Sequence, residues 1–329
     1  MPALKDIGER AVIEHLKRIF DRGLPVGLGH DVGVVDWGAD YLVITTDAVN
    51  VKTHIPAGAS PSQIGWYLVA VNLSDIAASG AVPLGFVAAL ALPRDTDLEF
   101  VKGLARGMDE CARQFGIPIV GGDTKESEVM TLAGTAVGRV PKSRILLRSG
   151  ARPGDVVVLT GDLGRSGWAS RHLADPASRA DALEVFLRPF PRTEEGIFFS
   201  ESGAVTSCED VSDGLGATLH QMAEMSKVSF AIDLDALPVY KGLRDADRRT
   251  VEELALYYGG DFELVATVRP DRLSDLLERY GLSKGKREGR KLTVIGKAEA
   301  KDGNRLVSKA GGTVPLDSRG WEHFRSSRP

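Results

Sequence analysis

The sequence predicts two α/β domains of similar size, and three observations support this fold class. Patterns typical of helices and of strands alternate through the first half of the chain. Residues 141–155, "PKSRILLRSGARPGD", are then polar and rich in turn-forming residues, as expected of a connection between domains. The alternation resumes at the apolar strand "VVVLTG" and continues toward the C-terminus. We therefore expect one domain at residues 1–148 and a second at residues 149–329.

The first domain begins with a helix in "DIGERAVIEHLKRIF", where apolar residues recur at helical spacing. "VGVVDWGADYLVITTD" follows and predicts two strands joined by a glycine-containing turn. Ser60 and Pro61 mark the start of a long helix, because serine is a common N-cap and proline fits the first helical position. The remaining predicted elements are a strand in "LGFVAALALP", a capped helix ending at Gly116, and strands in "IPIVGGD" and "VMTLAGTAVGRV".

The second domain repeats this alternation of helices and strands. Its predicted helices start at about residue 165 and continue at 192–201, "GLGATLHQMAEMSKV", "TVEELALYYG" and "DRLSDLLERYG". Its predicted strands are "VVVLTG", "AVTSCEDVS", "SFAIDL", "FELVATV" and "KLTVIGKAEA". The two halves are not similar enough in sequence to indicate an internal repeat.

The composition of the 329-residue chain excludes several classes of protein. Its net charge is -4, and the short basic run "KGKREGRK" at 284–291 predicts a solvated hairpin rather than a nucleic-acid surface. Cys111 in a predicted helix and Cys208 in a predicted strand indicate neither a disulfide framework nor a zinc site. The N-terminus does not resemble a signal peptide, and no apolar run approaches about 18 residues. We expect a cytoplasmic protein that binds neither nucleic acid nor membrane.

Carboxylates stand at the ends of several apolar segments. Asp47 closes "YLVITTD", Asp75 closes "VAVNLSD", and Asp123 closes "IPIVGGD", while Asp210 and Asp213 lie in "SCEDVSD". An ionised carboxylate near an apolar core is costly to desolvate, so the repeated placement predicts a partner. Magnesium binds nucleotides through a few carboxylates together with phosphate oxygens, and we interpret the set as a site for Mg²⁺ and ATP.

The spacing around these carboxylates supplies more oxygen ligands. Asn72 and Asp75 are three residues apart and share one helix face, while Thr45 and Thr46 place oxygens next to Asp47. Two carboxylates 4 Å apart repel by about 4 kcal/mol at an effective dielectric constant of 20, so a cluster of them needs cations.

An ordinary structural interpretation of single aspartates stays open at this point. Asp213 could cap the helix that follows it, and Asp123 could be a turn residue.

The usual phosphate-binding loops are absent from the sequence. It has no G-x-x-x-x-G-K-[ST] motif and no G-x-G-x-x-G motif after a strand. "VVVLTGDLGRSGWA" is the nearest candidate, since its strand leads through a glycine-rich turn into a helix. That turn either presents N–H groups to an anion or serves tight packing of the strand against the helix, and the spacing does not decide between these.

Six motifs together resemble one family in order and spacing: "GLGHDVGVV", "TTDAVNVKTH", "AVNLSDIAASGAVP", "IVGGDT", "RSGARPGDVVVLTG" and "EDVSDGL". They resemble the thiamine-monophosphate kinase family of the AIR-synthase-like ATP-binding superfamily, from about residue 27 to 220 and more loosely to "GWEHF" near the end. The resemblance implies a two-domain α/β (α+β) fold. The N-terminal sheet would join that of a second subunit in a dimer barrel, and ATP would lie in a cleft between the domains.

The resemblance also implies roles for individual residues. Those matching the metal site are Asp31, Thr45, Thr46, Asp47, Asp75, Asp123, Asp210 and Asp213, with Asp47, Asp123 and Asp210 as the catalytic set. Those matching nucleotide contacts are Gly122, Asp123, Arg148 and Ser212. His54 matches a substrate contact, and Trp321 matches an aromatic residue that would stack on the cationic thiamine. Without the resemblance, His54 would be an ordinary loop histidine and Trp321 ordinary packing near the C-terminus.

The sequence departs from the family pattern at two places. His30 precedes Asp31 where the family has paired acids, and because a neutral imidazole cannot replace a carboxylate charge, one metal site is expected to be weaker or lost. The motif "GGDFEL" is one acid shorter than the family's version. Asp261 is our best candidate for the substrate contact of that motif.

The expected reaction is transfer of phosphate from ATP to thiamine monophosphate, which gives ADP and thiamine diphosphate. One alternative is another enzyme of the superfamily, of the purine-biosynthesis type or a phosphoryl donor to selenide or to a maturation partner. The latter two are disfavoured because no cysteine lies near the N-terminus or within the terminal "FRSSRP". The other alternative is a nucleotide-binding protein without catalytic activity.

Overall fold

The computed structural model describes residues 3–20, 23–283, 291–300, 302–309 and 312–324. The basic run predicted as a hairpin lies outside these residues except for Lys291. The N-terminal domain contains α1 (Leu4–Phe20), β1 (Gly33–Trp37), β2 (Asp40–Asn50), α2 (Pro61–Ala78), β3 (Val82–Leu92), α3 (Leu98–Gln114), β4 (Ile119–Glu126) and β5 (Thr131–Pro141).

The C-terminal domain also alternates helices and strands, apart from the hairpin at its end. Its elements are β6 (Val156–Thr160), α4 (Arg165–His172), α5 (Arg179–Leu187), α6 (Thr193–Ser202), β7 (Val205–Asp210), α7 (Leu215–Ser226), β8 (Ser229–Asp233), α8 (Arg248–Leu256), β9 (Leu264–Val268), α9 (Leu273–Ser283), β10 (Leu292–Glu299), β11 (Arg305–Ser308) and β12 (Gly312–Pro315). Short 3₁₀ turns lie at Leu234–Ala236, Lys241–Leu243 and Pro270–Arg272. The predicted class of two α/β domains is confirmed, although α5, β11 and β12 were not predicted.

The N-terminal sheet has the strand order β1-β2-β5-β3-β4. Its neighbours are antiparallel except for the parallel pair of β3 and β4. Side chains alternate between the two faces of β2, so Val43, Thr45 and Val49 are buried against the helices while Ile44 is exposed on the outer face. This alternation decides which residues of "YLVITTD" reach the interior.

Helix α2 is the central element of the N-terminal domain. It starts as predicted, with Ser60 and Gln63 forming a capping box and Pro61 at the first turn. Most of its residues are buried, because it packs against the sheet, α3 and α6. Gly107 of α3 allows close backbone contact, since a Cβ there would overlap the carbonyl oxygen of Ser62. The helix is therefore held rigidly between the two domains.

The C-terminal sheet has the order β12-β11-β8-β10-β6-β9-β7 and is antiparallel except between β11 and β8. Strand β5 ends at Pro141 and β6 begins at Val156, so the predicted boundary after residue 148 falls in the connecting segment. None of the helices in the described ranges is both long and apolar enough to cross a membrane.

The outer face of the N-terminal sheet, which we define by Val35, Trp37, Leu84 and Val120, is apolar and exposed. Trp37 is 63% exposed and Val120 is 66% exposed. All residues of edge strand β4 are exposed to solvent. Exposed apolar patches are uncommon on monomeric proteins.

Candidate functional site

Three carboxylates from distant parts of the sequence meet at the interface of the two domains. Asp31 precedes β1, Asp75 lies on α2, and Asp210 ends β7. One carboxylate oxygen of each lies within 4.8 Å of those of the other two. Three negative charges at this separation are unfavourable without a cation or bound protons. We call these three residues the acidic cluster.

Asp47 and Thr45 extend this cluster along the inner face of β2. The Thr45 hydroxyl donates a hydrogen bond to Asp75. The backbone N–H of Asp47 donates to Asn72 Oδ1 at 3.1 Å, so the predicted shared face of Asn72 and Asp75 does meet this strand. Burial, with the charge of Asp31, raises the pKa of Asp47 to about 6.

The carboxyl group of Asp210 is buried and only half satisfied by hydrogen bonds. The Ser74 hydroxyl donates to its Oδ2. Its Oδ1 is buried without a hydrogen-bond partner among the residues that the structure describes. Burial, with the charge of Asp31, raises the pKa of Asp210 to about 8. Burial, with Asp47 and Asp210, also raises the pKa of Asp75.

Arg148 is the cation nearest to the acidic cluster. Its Nη2 donates to Asp31 Oδ1 at 2.6 Å, and its Nε lies 3.2 Å from Glu209 Oε1. Its Nη1 donates to Gln221 Oε1 at 2.6 Å. The guanidinium is therefore directed at protein acceptors, and the expected nucleotide contact of Arg148 stays a prediction. Sequence reasoning missed Glu209, which directly precedes Asp210 in the same strand.

His30 does not contribute charge to the cluster. Its Nδ1 accepts a hydrogen bond from the backbone N–H of Arg148 at 3.3 Å. Burial lowers the pKa of His30 and so favours its neutral form, although the charge of Asp31 opposes this effect. The interpretation of His30 as an uncharged replacement for an acid agrees with this environment.

Asp213 and Ser212 lie in the loop between β7 and α7. Gly214 is the N-cap of α7, and no side chain of the described residues caps this helix, so Asp213 is not the cap that remained open from the sequence. Burial, with the charge of Glu9, raises the pKa of Asp213 to about 6. The carbonyl oxygen of Ser212 accepts from Gly260 N at 2.7 Å, which ties this loop to the "GGDFEL" segment.

Thr46, Gly122 and Asp123 lie outside the acidic cluster. The Thr46 hydroxyl donates to Gly134 O at 2.8 Å. Asp123 is exposed within β4, not in a turn, and Lys125 Nζ donates to it at 3.0 Å. The strand register aligns Asp47, Gly134, Ala88 and Gly122 across three strand spacings, a distance of about 14 Å. Within one chain, the expected ligands on β4 therefore do not reach Asp47.

His54 and Trp321 are joined by a third ring, His323, which sequence reasoning missed. The His54 and His323 ring centroids are 5.3 Å apart, and those of Trp321 and His323 are 5.5 Å apart in an edge-to-face arrangement. Burial, with His323, lowers the pKa of His54 to about 4. Glu9 of α1 accepts a hydrogen bond from His323 N at 3.0 Å. The sequence does contain a signal for His323, because the segment "WEHF" places three ring-bearing residues within four positions.

Asp261 occupies the N-terminus of α4. Its carboxylate accepts hydrogen bonds from Gly164 N at 2.6 Å and from Ser166 N at 3.0 Å. Burial raises the pKa of Asp261 to about 7, and these two N–H groups oppose the rise. The glycine-rich turn thus holds a carboxylate of the protein, which argues against an open phosphate cradle there, and the expected substrate contact of Asp261 stays a prediction.

Family models match both domains of the chain. Residues 29–140 match the N-terminal domain of AIR synthase related proteins, and residues 152–309 match the C-terminal domain. The chain therefore belongs to the AIR synthase related family.

Comparison with individual relatives assigns the chain to one family within this group. A thiamine-monophosphate kinase of Pyrococcus horikoshii is 34% identical over 303 residues, which cover 91% of each chain. One of Synechococcus elongatus is 36% identical over 336 residues, which cover 98% of each chain. Within the AIR synthase related family, the chain belongs to the thiamine-monophosphate kinase family.

Solved structures agree with these sequence comparisons. A structure described as "AaThiL complexed with AMPPCP and TMP" superposes with a TM-score of 0.84 at 26% identity, covering 98% of this chain and 99% of that one. The Thermus thermophilus protein tt0281 gives a TM-score of 0.82 at 31% identity, covering 95% and 100%. Escherichia coli HypE, at 22% identity and a TM-score of 0.71, shares the fold alone.

Proposed function

We propose that this chain transfers the γ-phosphoryl group of ATP to thiamine monophosphate, forming ADP and thiamine diphosphate. The observation that carries the proposal is the convergence of Asp31, Asp75 and Asp210 within 4.8 Å at the interface of the two domains. Membership of the thiamine-monophosphate kinase family supports it, as does the solved relative that holds both AMPPCP, an ATP analogue, and TMP.

The acidic cluster suits Mg²⁺, the ion that we propose as the companion of ATP. Carboxylate and hydroxyl oxygens are the ligands that this ion prefers, and the orphaned Oδ1 of Asp210 is the sort of buried atom that a cation satisfies. Asp31, Asp75 and Asp210 would hold it, with Asp47 and Thr45 adjacent. Bound Mg²⁺ would neutralise charge on the nucleotide phosphates.

The remaining contribution of the protein is to align the reactants. The attacking group is a phosphate oxygen of thiamine monophosphate, which is largely dianionic at neutral pH because its second pKa is about 6. No general base is needed, so Asp47 and Asp210 act by position and charge rather than by accepting a proton. We propose that Asp123 and Thr46, on the outer sheet face, contribute once a second subunit covers that face, together with the backbone of the neighbouring Gly122.

The three rings of His54, His323 and Trp321 form the proposed acceptor site. A neutral His54 leaves the site without a positive charge from this imidazole, so a cationic thiazolium is not repelled there. Stacking of that cation on the Trp321 indole is favourable, and His323 keeps the indole edge fixed. Asp213 contacts the segment that carries these rings, since its carbonyl oxygen accepts a hydrogen bond from Trp321 N at 3.0 Å.

We further propose that the protein is a cytoplasmic homodimer. The outer face of the N-terminal sheet is apolar across β1, β3 and β4, and a second copy of the sheet would bury it. Both cysteines, Cys111 and Cys208, are buried free thiols, in keeping with a reducing compartment.

The test is a coupled assay of ADP release with thiamine monophosphate, and with aminoimidazole precursors as competing substrates. We expect ADP release with thiamine monophosphate only, and a loss of about a hundredfold or more for Asp47→Asn. Asp109→Asn, an exposed change on α3, is the matched control and should keep wild-type activity. Release of ADP with the precursors would favour the purine-biosynthesis alternative, and nucleotide binding without turnover would favour a non-catalytic protein.

A further inference from the structure

Arg148 has its donors directed at four acceptors of the protein. Besides Asp31, Glu209 and Gln221, its Nη1 donates to Gly29 O at 3.3 Å. The side chain is 18% exposed, whereas those of Asp31 and Glu209 are 3% and 2% exposed. A buried guanidinium of this kind requires a carboxylate partner, because an unpaired buried charge is strongly destabilising.

The carboxylate of Asp31 takes part in two interactions. It is the closest charge partner of Arg148, which donates to its Oδ1 from both Nη2 at 2.6 Å and Nε at 3.1 Å. It is also one of the three carboxylates of the acidic cluster. A divalent cation that drew Asp31 toward Asp75 and Asp210 would weaken the pair with Arg148. Both arginine hydrogen bonds fall on Oδ1, which leaves Oδ2 for a cation, so metal binding would compete with Arg148 for the single negative charge of this carboxylate.

Glu209 has a carboxylate oxygen that could form a further hydrogen bond to the same arginine. Its Oε1 lies 3.2 Å from Arg148 Nε. Its Oε2 is buried and makes no hydrogen bond to any part of the chain that the structure describes. A carboxylate bound to an arginine through one oxygen can engage it through both, which is the stronger arrangement. Glu209 can thus increase its hold on Arg148 without new side chains entering the site.

We propose that Glu209 is a positioning residue of the metal site, which retains Arg148 when Asp31 turns to the cation. It thereby places a second carboxyl group beside Arg148, one residue before Asp210, whereas His30 offers no carboxyl group next to Asp31. This inference rests on the proposed metal site. It assigns Glu209 no contact with the metal or with a substrate, since the residue acts through Arg148 and Asp31.

The test is titration of the full-length protein with Mg²⁺ alone, followed by calorimetry and by the shift in melting temperature. Glu209→Gln removes the charge, and Arg148 then competes with the cation for Asp31. We expect the Mg²⁺ affinity to fall about tenfold or more, as is usual when a group behind a metal ligand is removed. Glu224→Gln, an exposed change on α7, is the control for the loss of one formal charge and should bind as wild type.

Glu209→Asp separates contact from charge. It keeps the negative charge but withdraws the carboxylate from Arg148 by one methylene, so we expect it to lose Mg²⁺ affinity as Glu209→Gln does. Restoration of wild-type affinity by Glu209→Asp, or unchanged affinity in Glu209→Gln, would overturn the inference while the proposed function stood. Absence of Mg²⁺ binding by the wild type would instead remove the proposed metal site and this inference with it.

Discussion

Asparagine in place of Asp210 is expected to stabilise the metal-free protein while abolishing its activity. The acidic cluster holds three carboxylates within 4.8 Å of one another. At an effective dielectric constant of about 20, each ionised pair at that distance repels by about 3.5 kcal/mol, and Asp210 takes part in two such pairs. The amide introduced by Asp210→Asn would keep an acceptor for the Ser74 hydroxyl, so the change removes charge without removing that hydrogen bond.

The size of the effect depends on pH, because burial and Asp31 raise the pKa of Asp210 to about 8. The folded protein keeps this proton up to that pH, whereas the unfolded chain releases it near the ordinary pKa of 3.8. The stability associated with the proton is therefore complete at low pH and is lost as pH rises through about 8. At about pH 9, with solvent screening, we expect Asp210→Asn to gain about 2–4 kcal/mol, or about 5 °C in melting temperature.

The assay compares melting of both proteins in a chelator and in excess Mg²⁺, at about pH 6 and about pH 9. In the chelator, the wild type should lose stability between these pH values and the variant should lose less. Added Mg²⁺ should raise the melting temperature of the wild type at about pH 9 but not that of the variant. A variant less stable than wild type in the chelator at about pH 9, or equally stabilised by Mg²⁺, would refute the reasoning.

The other predictions concern the acceptor site, the helix pair and the outer sheet face. His323→Ala should raise KM for thiamine monophosphate about twofold to tenfold, because an aromatic contact contributes about 0.5–1.5 kcal/mol, while KM for ATP stays unchanged. The exposed control His15→Ala should change neither constant, and an equal rise in both for His323→Ala would contradict the assignment. Gly107→Ala should lower the free energy of unfolding in urea by about 3 kcal/mol, since its methyl group overlaps Ser62 O, and a change below about 0.5 kcal/mol would count against that packing. Val120→Lys should convert a dimer to a monomer in light scattering with unchanged circular dichroism, whereas a persistent dimer would exclude the outer face as the interface.

Features set by neighbouring residues were predictable from the sequence. Ser60 and Pro61 give the start of α2, because capping is decided within one turn. The shared face of Asn72 and Asp75 follows in the same way from helical periodicity. Helix α5 was missed because its 9 residues are too few to show a clear helical period. Strands β11 and β12 were missed because strands of 4 residues carry little apolar pattern.

The candidate site could be predicted only in part, since its remaining contacts are distant in sequence. The pair of Arg148 and Asp31 is separated by 117 positions, so no local pattern reports it. Glu209 and Asp210 are consecutive in a strand, where side chains point to opposite faces, and the position of Arg148 brings Glu209 into the site. Asp261 accepts a hydrogen bond from Gly164 N at the start of α4. The sequence could not predict this contact, because tertiary packing fixes the position of that helix end.

Two consecutive side chains of α2 serve different halves of the molecule. Asp75 receives the Thr45 hydroxyl from the N-terminal sheet, while Ser74 gives its own hydroxyl to Asp210 at the end of a strand in the C-terminal sheet. Separation of the two domains would break the hydrogen bond from Ser74 and leave the Asp210 carboxyl group without that donor. Heating should accordingly melt both halves in one calorimetric transition, and a peptide bond cut in the segment that joins them should leave the pair associated.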